Sequence, residues 1–200
     1  MPEGVIKMNL ANRISFVRIA ATPVFLFLLI PGPFGQFANL SAWGRWAAAV
    51  LFILASATDA LDGYVARKYN LVTDLGKFLD PIADKLLVTA ALVALIATDG
   101  LSVWGVFIIL AREFIVTGIR VVAAGQGTVI AASNLAKWKT TFQLIAIIAM
   151  LLRDFPITLI APIPVGIITF WIAVGLTIIS GVDYLVKNKS VFLTAPVKGK

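Results

Sequence analysis

Four aspartates, Asp59, Asp62, Asp80 and Asp84, stand in a hydrophilic seam between two long apolar runs. If both runs are helical, Asp59 and Asp62 are i and i+3 on one face near the end of the first. Asp80 and Asp84 are i and i+4 on one face near the start of the second. The turn between the helices brings the two carboxylate pairs together. Four like charges converging in a low dielectric repel strongly unless a cation neutralises them. The chain has no His and no Cys, which excludes imidazole and thiolate ligands and removes disulfides. Carboxylate oxygens alone suit a hard ion, Mg²⁺ or Mn²⁺. The spacing therefore predicts a divalent-metal site held by Asp59, Asp62, Asp80 and Asp84.

The elements that must position these acids are membrane spans. Apolar residues make up 60% of the 200 and charged residues only 14%, with a mean hydropathy of +0.97, which describes an integral membrane protein of one helical domain. Six spans are expected: Ile14 to Ile30, stopped by Pro31-Gly32-Pro33; Trp46 to about Lys68; about Gly76 to Ala97, ended by an Asp99-Gly100 turn; Leu101 to about Ala124; Trp138 to Leu152; and about Ile163 to Val186. Residues 1–13 read either as a short interfacial helix or as a frayed terminus. Their charge-then-apolar order also resembles a signal peptide, but no small-x-small cleavage site follows promptly. Residues 187–200 form a polar, basic tail.

Net charge +7 would suggest nucleic acid in a soluble protein. In a membrane chain, basic residues mark cytoplasmic loops and the anionic lipid surface instead. With the N-terminus inside, only Arg45 and Arg153 of the seventeen Lys and Arg fall in outer turns. That bias puts both termini and the acidic seam on the cytoplasmic face, with no nucleic-acid partner expected; a bacterial inner membrane is the expected location, with a mitochondrial one as the alternative.

The remaining charged residues each carry two readings. Asp80-Pro81 fits a helix N-cap followed by an N1 proline as well as a metal ligand. Arg112-Glu113, inside an apolar run, is either a mutually neutralising pair that fixes packing or part of an anion pocket. In the pocket reading Arg112, Arg120, Lys137 and Lys139 supply the charge and Glu113 orients one of the cations. Lys137-Trp138-Lys139 by itself is an ordinary interfacial anchor. Asp74 reads as a helix start, Asp183 as a polar helix end, and Trp43 and Trp46 as an outer aromatic belt. Clustering of the four acids at one end argues against a proton or ion relay, whose acids are dispersed over several helices and depths.

The full spacing runs Asp59, two residues, Asp62-Gly63, two residues, Ala66-Arg67, eight residues, Gly76, three residues, Asp80, three residues, Asp84. It resembles the signature of the CDP-alcohol phosphotransferases at every fixed position. That family joins a CDP-activated lipid to an alcohol in the membrane and releases CMP. The resemblance implies a six-helix fold, commonly a homodimer among membrane lipids, with a polar cavity open to the cytoplasm. AREFIVTGIR (Ala111 to Arg120), KWKTTFQ (Lys137 to Gln143) and the opening NRISFVRIAATPVF are similar to the glycerol-phosphate branch, although Ala11-Asn12 and Ser15 stand where Pro-Asn and Thr are more usual. The branch implies CDP-diacylglycerol and glycerol 3-phosphate as substrates. Gly63 and Ala66, one turn apart, leave room for a flat ligand, and Arg67 offers a planar fork to phosphate, so these three face the CDP moiety. Asp84 is the expected general base, and the four cationic side chains of the anion pocket take the acceptor phosphate. Inositol phosphate or phosphatidylglycerol as acceptor, and an ion-coupled transporter outside the enzyme class, are the alternatives.

Overall fold

The computed structural model describes residues 10–30, 43–69, 74–125 and 134–189, with side chains at 10–15, 59–69, 74–82, 84 and 125 outside the description. Six α-helices and no strand occur among the described residues: α1 (Leu10–Leu29), α2 (Trp43–Tyr69), α3 (Asp74–Asp99), α4 (Val103–Gly125), α5 (Asn134–Leu151) and α6 (Val165–Lys187). The protein is all-helical, as expected. Helices start earlier than the apolar runs suggest, α1 at Leu10 and α5 at Asn134. The stretches added, Leu10 to Arg13 and Asn134 to Lys137, contain no Gly or Pro and include good helix formers, so nothing stops the helix there. The last four residues of the 1–13 segment thus belong to α1. Asp74 does begin α3, and Gly100 takes the left-handed conformation (φ +64°) that a tight turn after Asp99 requires.

The helices form two compact units, residues 1–99 and 100–200. In the first, α1 packs against both α2 and α3. Phe25 and Phe52 are fully buried, with ring centroids 5.9 Å apart. Ala48, Ala49, Ala91 and Ala94 are buried around them, small side chains that let backbones approach where lipid supplies no hydrophobic drive for association. Arg45 near the start of α2 donates to Asp99 at the end of α3 at 2.5 Å. The antiparallel run of the two helices thereby closes at that end.

In the second unit α6 packs against α4 and, more extensively, α5. Two glycines set these close approaches. A Cβ on Gly105 would stand 2.6 Å from Phe170, and one on Gly166 would stand 2.5 Å from Met150. Between α5 and α6, Arg153 and Asp154 adopt left-handed backbone conformations. Asp154 then accepts the Gly166 amide at 2.7 Å, satisfying one of the open N–H groups at the start of α6. On the outside, Phe107, Phe114, Ile115, Trp171, Ile178 and Val182 are all exposed, an apolar surface that suits lipid better than water. Among the described residues α6 is the one helix long and apolar enough, by length and composition, to cross a membrane; Phe16–Leu29 and Trp43–Thr58 are shorter apolar runs.

Candidate functional site

The acidic half of the expected site is defined at the level of the backbone. Asp59 and Asp62 lie within α2, and Asp80 and Asp84 within α3. Asp62 stands seven residues before the end of α2 at Tyr69, and Asp80 six after the start of α3 at Asp74; Asp59 and Asp84 are each ten residues from those same ends. At 1.5 Å per residue the two pairs are therefore within one residue of the same distance along their helices from the four-residue connection. The side chains of Asp59, Asp62, Gly63, Ala66, Arg67, Asp80 and Asp84 lie outside the described residues. Among the described residues no three His, Cys, Asp or Glu side chains are grouped so as to hold a metal ion. One local reading is corrected: because α3 begins at Asp74, Asp80 is inside the helix and is not its N-cap.

The basic half is described down to its side chains, and it is built from three helices. Arg112 and Glu113 are adjacent on α4, and Arg112 Nη1 bonds Glu113 Oε1 at 3.1 Å. Lys139, from α5, bonds the same Oε1 through a short Nζ contact. Arg112 Nη2 also donates to Ser180 Oγ of α6 at 3.3 Å. Glu113 is thus the crossbeam between α4 and α5, an arrangement common to the packing-pair and the anion-pocket readings. The burial is deep: the Lys139 side chain is 4% exposed and that of Arg112 11%.

Lys137-Trp138-Lys139 divides along the helix surface. Lys137 and Trp138 face outward, and Trp138 packs at 6.3 Å on the Phe142 ring, whereas Lys139 points into the unit. The exposure of the first two residues suits an anchor, whereas Lys139 is buried and cannot serve as one. Arg120, a further two turns along α4, lies with its guanidinium carbon 5.7 Å from the centre of the Tyr184 ring. The structure therefore brings Arg112 and Lys139 together, sets Arg120 on α6 and leaves Lys137 on the surface.

What this cluster can do follows from its charge. Asp154 and Asp183, the only other acids after residue 100, are engaged with the Gly166 amide and with Lys187 at 2.8 Å. Among the described residues Arg112 and Lys139 share the Glu113 carboxylate, a buried cluster whose N–H groups can offer an anion charge-assisted hydrogen bonds. Arg112 Nε and Gln143 Oε1 are buried without hydrogen-bond partners among the described residues, a donor and an acceptor suited to a polar ligand. The sequence reading gave no role to Gln143, Ser180 or Tyr184. Gln143 had a signal, being polar one turn beyond Lys139 on the same face of an apolar helix. Ser180 and Tyr184 had none, since they reach the arginines only through the fold.

A family model described as CDP-alcohol phosphatidyltransferase matches residues 8–179. The chain is 46% identical over 192 residues to the CDP-diacylglycerol–glycerol-3-phosphate 3-phosphatidyltransferase of Bacillus subtilis, covering 90% of this chain and 95% of that protein. A protein of the same name from Rickettsia bellii is 42% identical over 184 residues, covering 92% of this chain and 97% of its own length. Its counterpart from Rickettsia prowazekii is 41% identical over 187 residues, covering 94% and 99%.

Proposed function

The chain belongs to the CDP-alcohol phosphatidyltransferase family, and from that premise we propose that it transfers the phosphatidyl group of CDP-diacylglycerol to sn-glycerol 3-phosphate, giving phosphatidylglycerophosphate and CMP. The observation that supports the choice of acceptor is the buried cluster in which two cations, Arg112 and Lys139, meet at Glu113. A phosphorylated alcohol gains charge-assisted hydrogen bonds there, while serine would not. The names of the relatives supply the distinction between glycerol phosphate and inositol phosphate.

In this reading Asp59, Asp62 and Asp80, with Asp84 on a second ion or close by, hold Mg²⁺ or Mn²⁺. A set of carboxylate oxygens with no sulfur or imidazole fits such hard ions. When bound, the metal neutralises the CDP pyrophosphate and the charge that develops on departing CMP. Gly63, Ala66 and Arg67 receive the nucleotide. Arg112, Arg120, Lys137 and Lys139 hold the acceptor phosphate, with Lys137 contributing from the surface. Asp84 takes the proton of the acceptor's primary hydroxyl as that oxygen bonds the β-phosphorus, and the bond from that phosphorus to CMP breaks.

The topology proposed is six spans with both termini and the site at the cytoplasmic face of an inner membrane, in a homodimer. The distribution of basic residues supports the orientation, and the unbroken match over residues 8–179 supports one domain. A cysteine at Gly100 should react with an impermeant thiol reagent outside intact cells, and one at Asn70 should not; the reverse pattern inverts the topology. The deciding assay incubates purified protein with CDP-diacylglycerol, Mg²⁺ and one acceptor at a time. CMP release with glycerol 3-phosphate is expected. Release only with inositol phosphate or phosphatidylglycerol reassigns the acceptor, and no release with any acceptor, with substrate moved across vesicles, makes the chain a transporter.

A further inference from the structure

Helix α6 supplies none of the residues assigned to substrate, yet one face of it is shaped around the two arginines of α4. Thr177, Ser180, Gly181 and Tyr184 are all buried and follow at helical spacing. A Cβ at Gly181 would stand 3.2 Å from Arg112 Cγ, so the stem of Arg112 lies across this glycine. The guanidinium then reaches Ser180 Oγ at 3.3 Å. One turn further along α6, the Tyr184 ring is held in a buried cluster with Val116 and Ile119 and presents its face to Arg120 at 5.7 Å, within cation–π range. The Tyr184 hydroxyl is buried with no hydrogen-bond partner among the described residues. What Tyr184 offers Arg120 is thus the ring and not the oxygen.

We propose that Ser180, Gly181 and Tyr184 are positioning residues that aim Arg112 and Arg120 at the acceptor phosphate, making α6 the element that sets affinity for a phosphorylated alcohol. This rests on the reading that those arginines bind the acceptor. Arginine loses much rotamer freedom when it grips a ligand, and a side chain already held in place loses less on binding.

The test measures initial rates of purified full-length protein against glycerol 3-phosphate at saturating CDP-diacylglycerol, then against CDP-diacylglycerol at saturating glycerol 3-phosphate. Tyr184→Leu should raise the glycerol 3-phosphate KM about 3- to 30-fold, the range that losing a cation–π contact implies. The kcat and the KM for the CDP-lipid should stay at wild-type values. Tyr184→Phe, which keeps the ring, should behave as wild type. Gly181→Ala, whose methyl crowds the Arg112 stem, should raise the same KM. The double variant Tyr184→Leu/Arg120→Ala should match Arg120→Ala alone. An equal loss in Tyr184→Phe, additivity in the double variant, or an equal rise in the CDP-lipid KM overturns the proposal. Should Tyr184→Leu fail to fold, Gly181→Ala with an unchanged glycerol 3-phosphate KM overturns it instead. If Arg120→Ala itself leaves that KM unchanged, the acceptor reading beneath the proposal falls, and the proposal with it.

Discussion

The two halves of the chain carry opposite chemistry. Residues 1–99 hold seven acidic residues against eight basic ones, and five of the acids, Asp74 included, sit within the single seam from Asp59 to Asp84. Residues 100–200 hold three acidic residues against nine basic ones, and the cations that matter come from separate helices and are buried. The first half concentrates negative charge by local sequence, on two helices separated by four residues. The second concentrates positive charge by tertiary packing, and needs Glu113 to make that packing tolerable. In the proposed reaction the acids of the first half are assigned the metal ion and the cations of the second half the anionic acceptor.

The comparison breaks most sharply at the acids. Asp59→Ala or Asp80→Ala should reduce CMP release to background and weaken nucleotide binding together, measured by turnover and by equilibrium binding of a CDP-lipid. Near-normal turnover in either would remove the metal from the first half. Asp84→Asn should lower kcat by about 10²–10⁴-fold, the usual worth of a positioned base, while retaining more CDP-diacylglycerol binding than Asp59→Ala. A parallel loss of binding and rate would make Asp84 a ligand only.

In the second half, Arg112→Ala or Lys139→Ala should raise the glycerol 3-phosphate KM by about 10- to 150-fold, corresponding to about 1.5–3 kcal/mol for a charge-assisted hydrogen bond. If either variant instead loses CDP-lipid binding as badly as Asp59→Ala does, the basic cluster belongs to the nucleotide and the division between halves is drawn in the wrong place. The smallest effect is expected at Arg45→Ala, which removes the bond to Asp99 at the far end of α2. It should cost no more than about 1 kcal/mol of stability and leave turnover unchanged, as read from thermal unfolding and the standard assay.

Much of the first half was legible from local pattern. The acids fell on the helices expected for them, because i, i+3 and i, i+4 spacing is a property of one helix. Asp74 and the Asp99-Gly100 turn were legible for the same reason. Helix starts were less so: an apolar run marks where a helix is dry, whereas α1 and α5 each extend four residues into polar sequence that still favours helix. Asp80-Pro81 misled locally, since a capping pair looks the same wherever it falls. In the second half, the basic residues could be named but not sorted. Lys137 and Lys139 differ by two positions and end on opposite sides of α5 because α6 packs along one side of that helix. The contacts of Ser180, Gly181 and Tyr184 span 64 residues or more of chain, as in Arg120 to Tyr184, and no local pattern encodes them.

The Asp154 bond to the Gly166 amide makes the pair of α5 and α6 self-sufficient. The carboxylate closes the connection between α5 and α6 from within, and Met150 fills the space that Gly166 leaves open beside it. This segment therefore satisfies its own turn and seals its own seam with groups taken only from itself. A helical hairpin with its ends already bonded presents few bare polar groups to lipid. The last two helices thus form a finished wall against which α4 places Arg112.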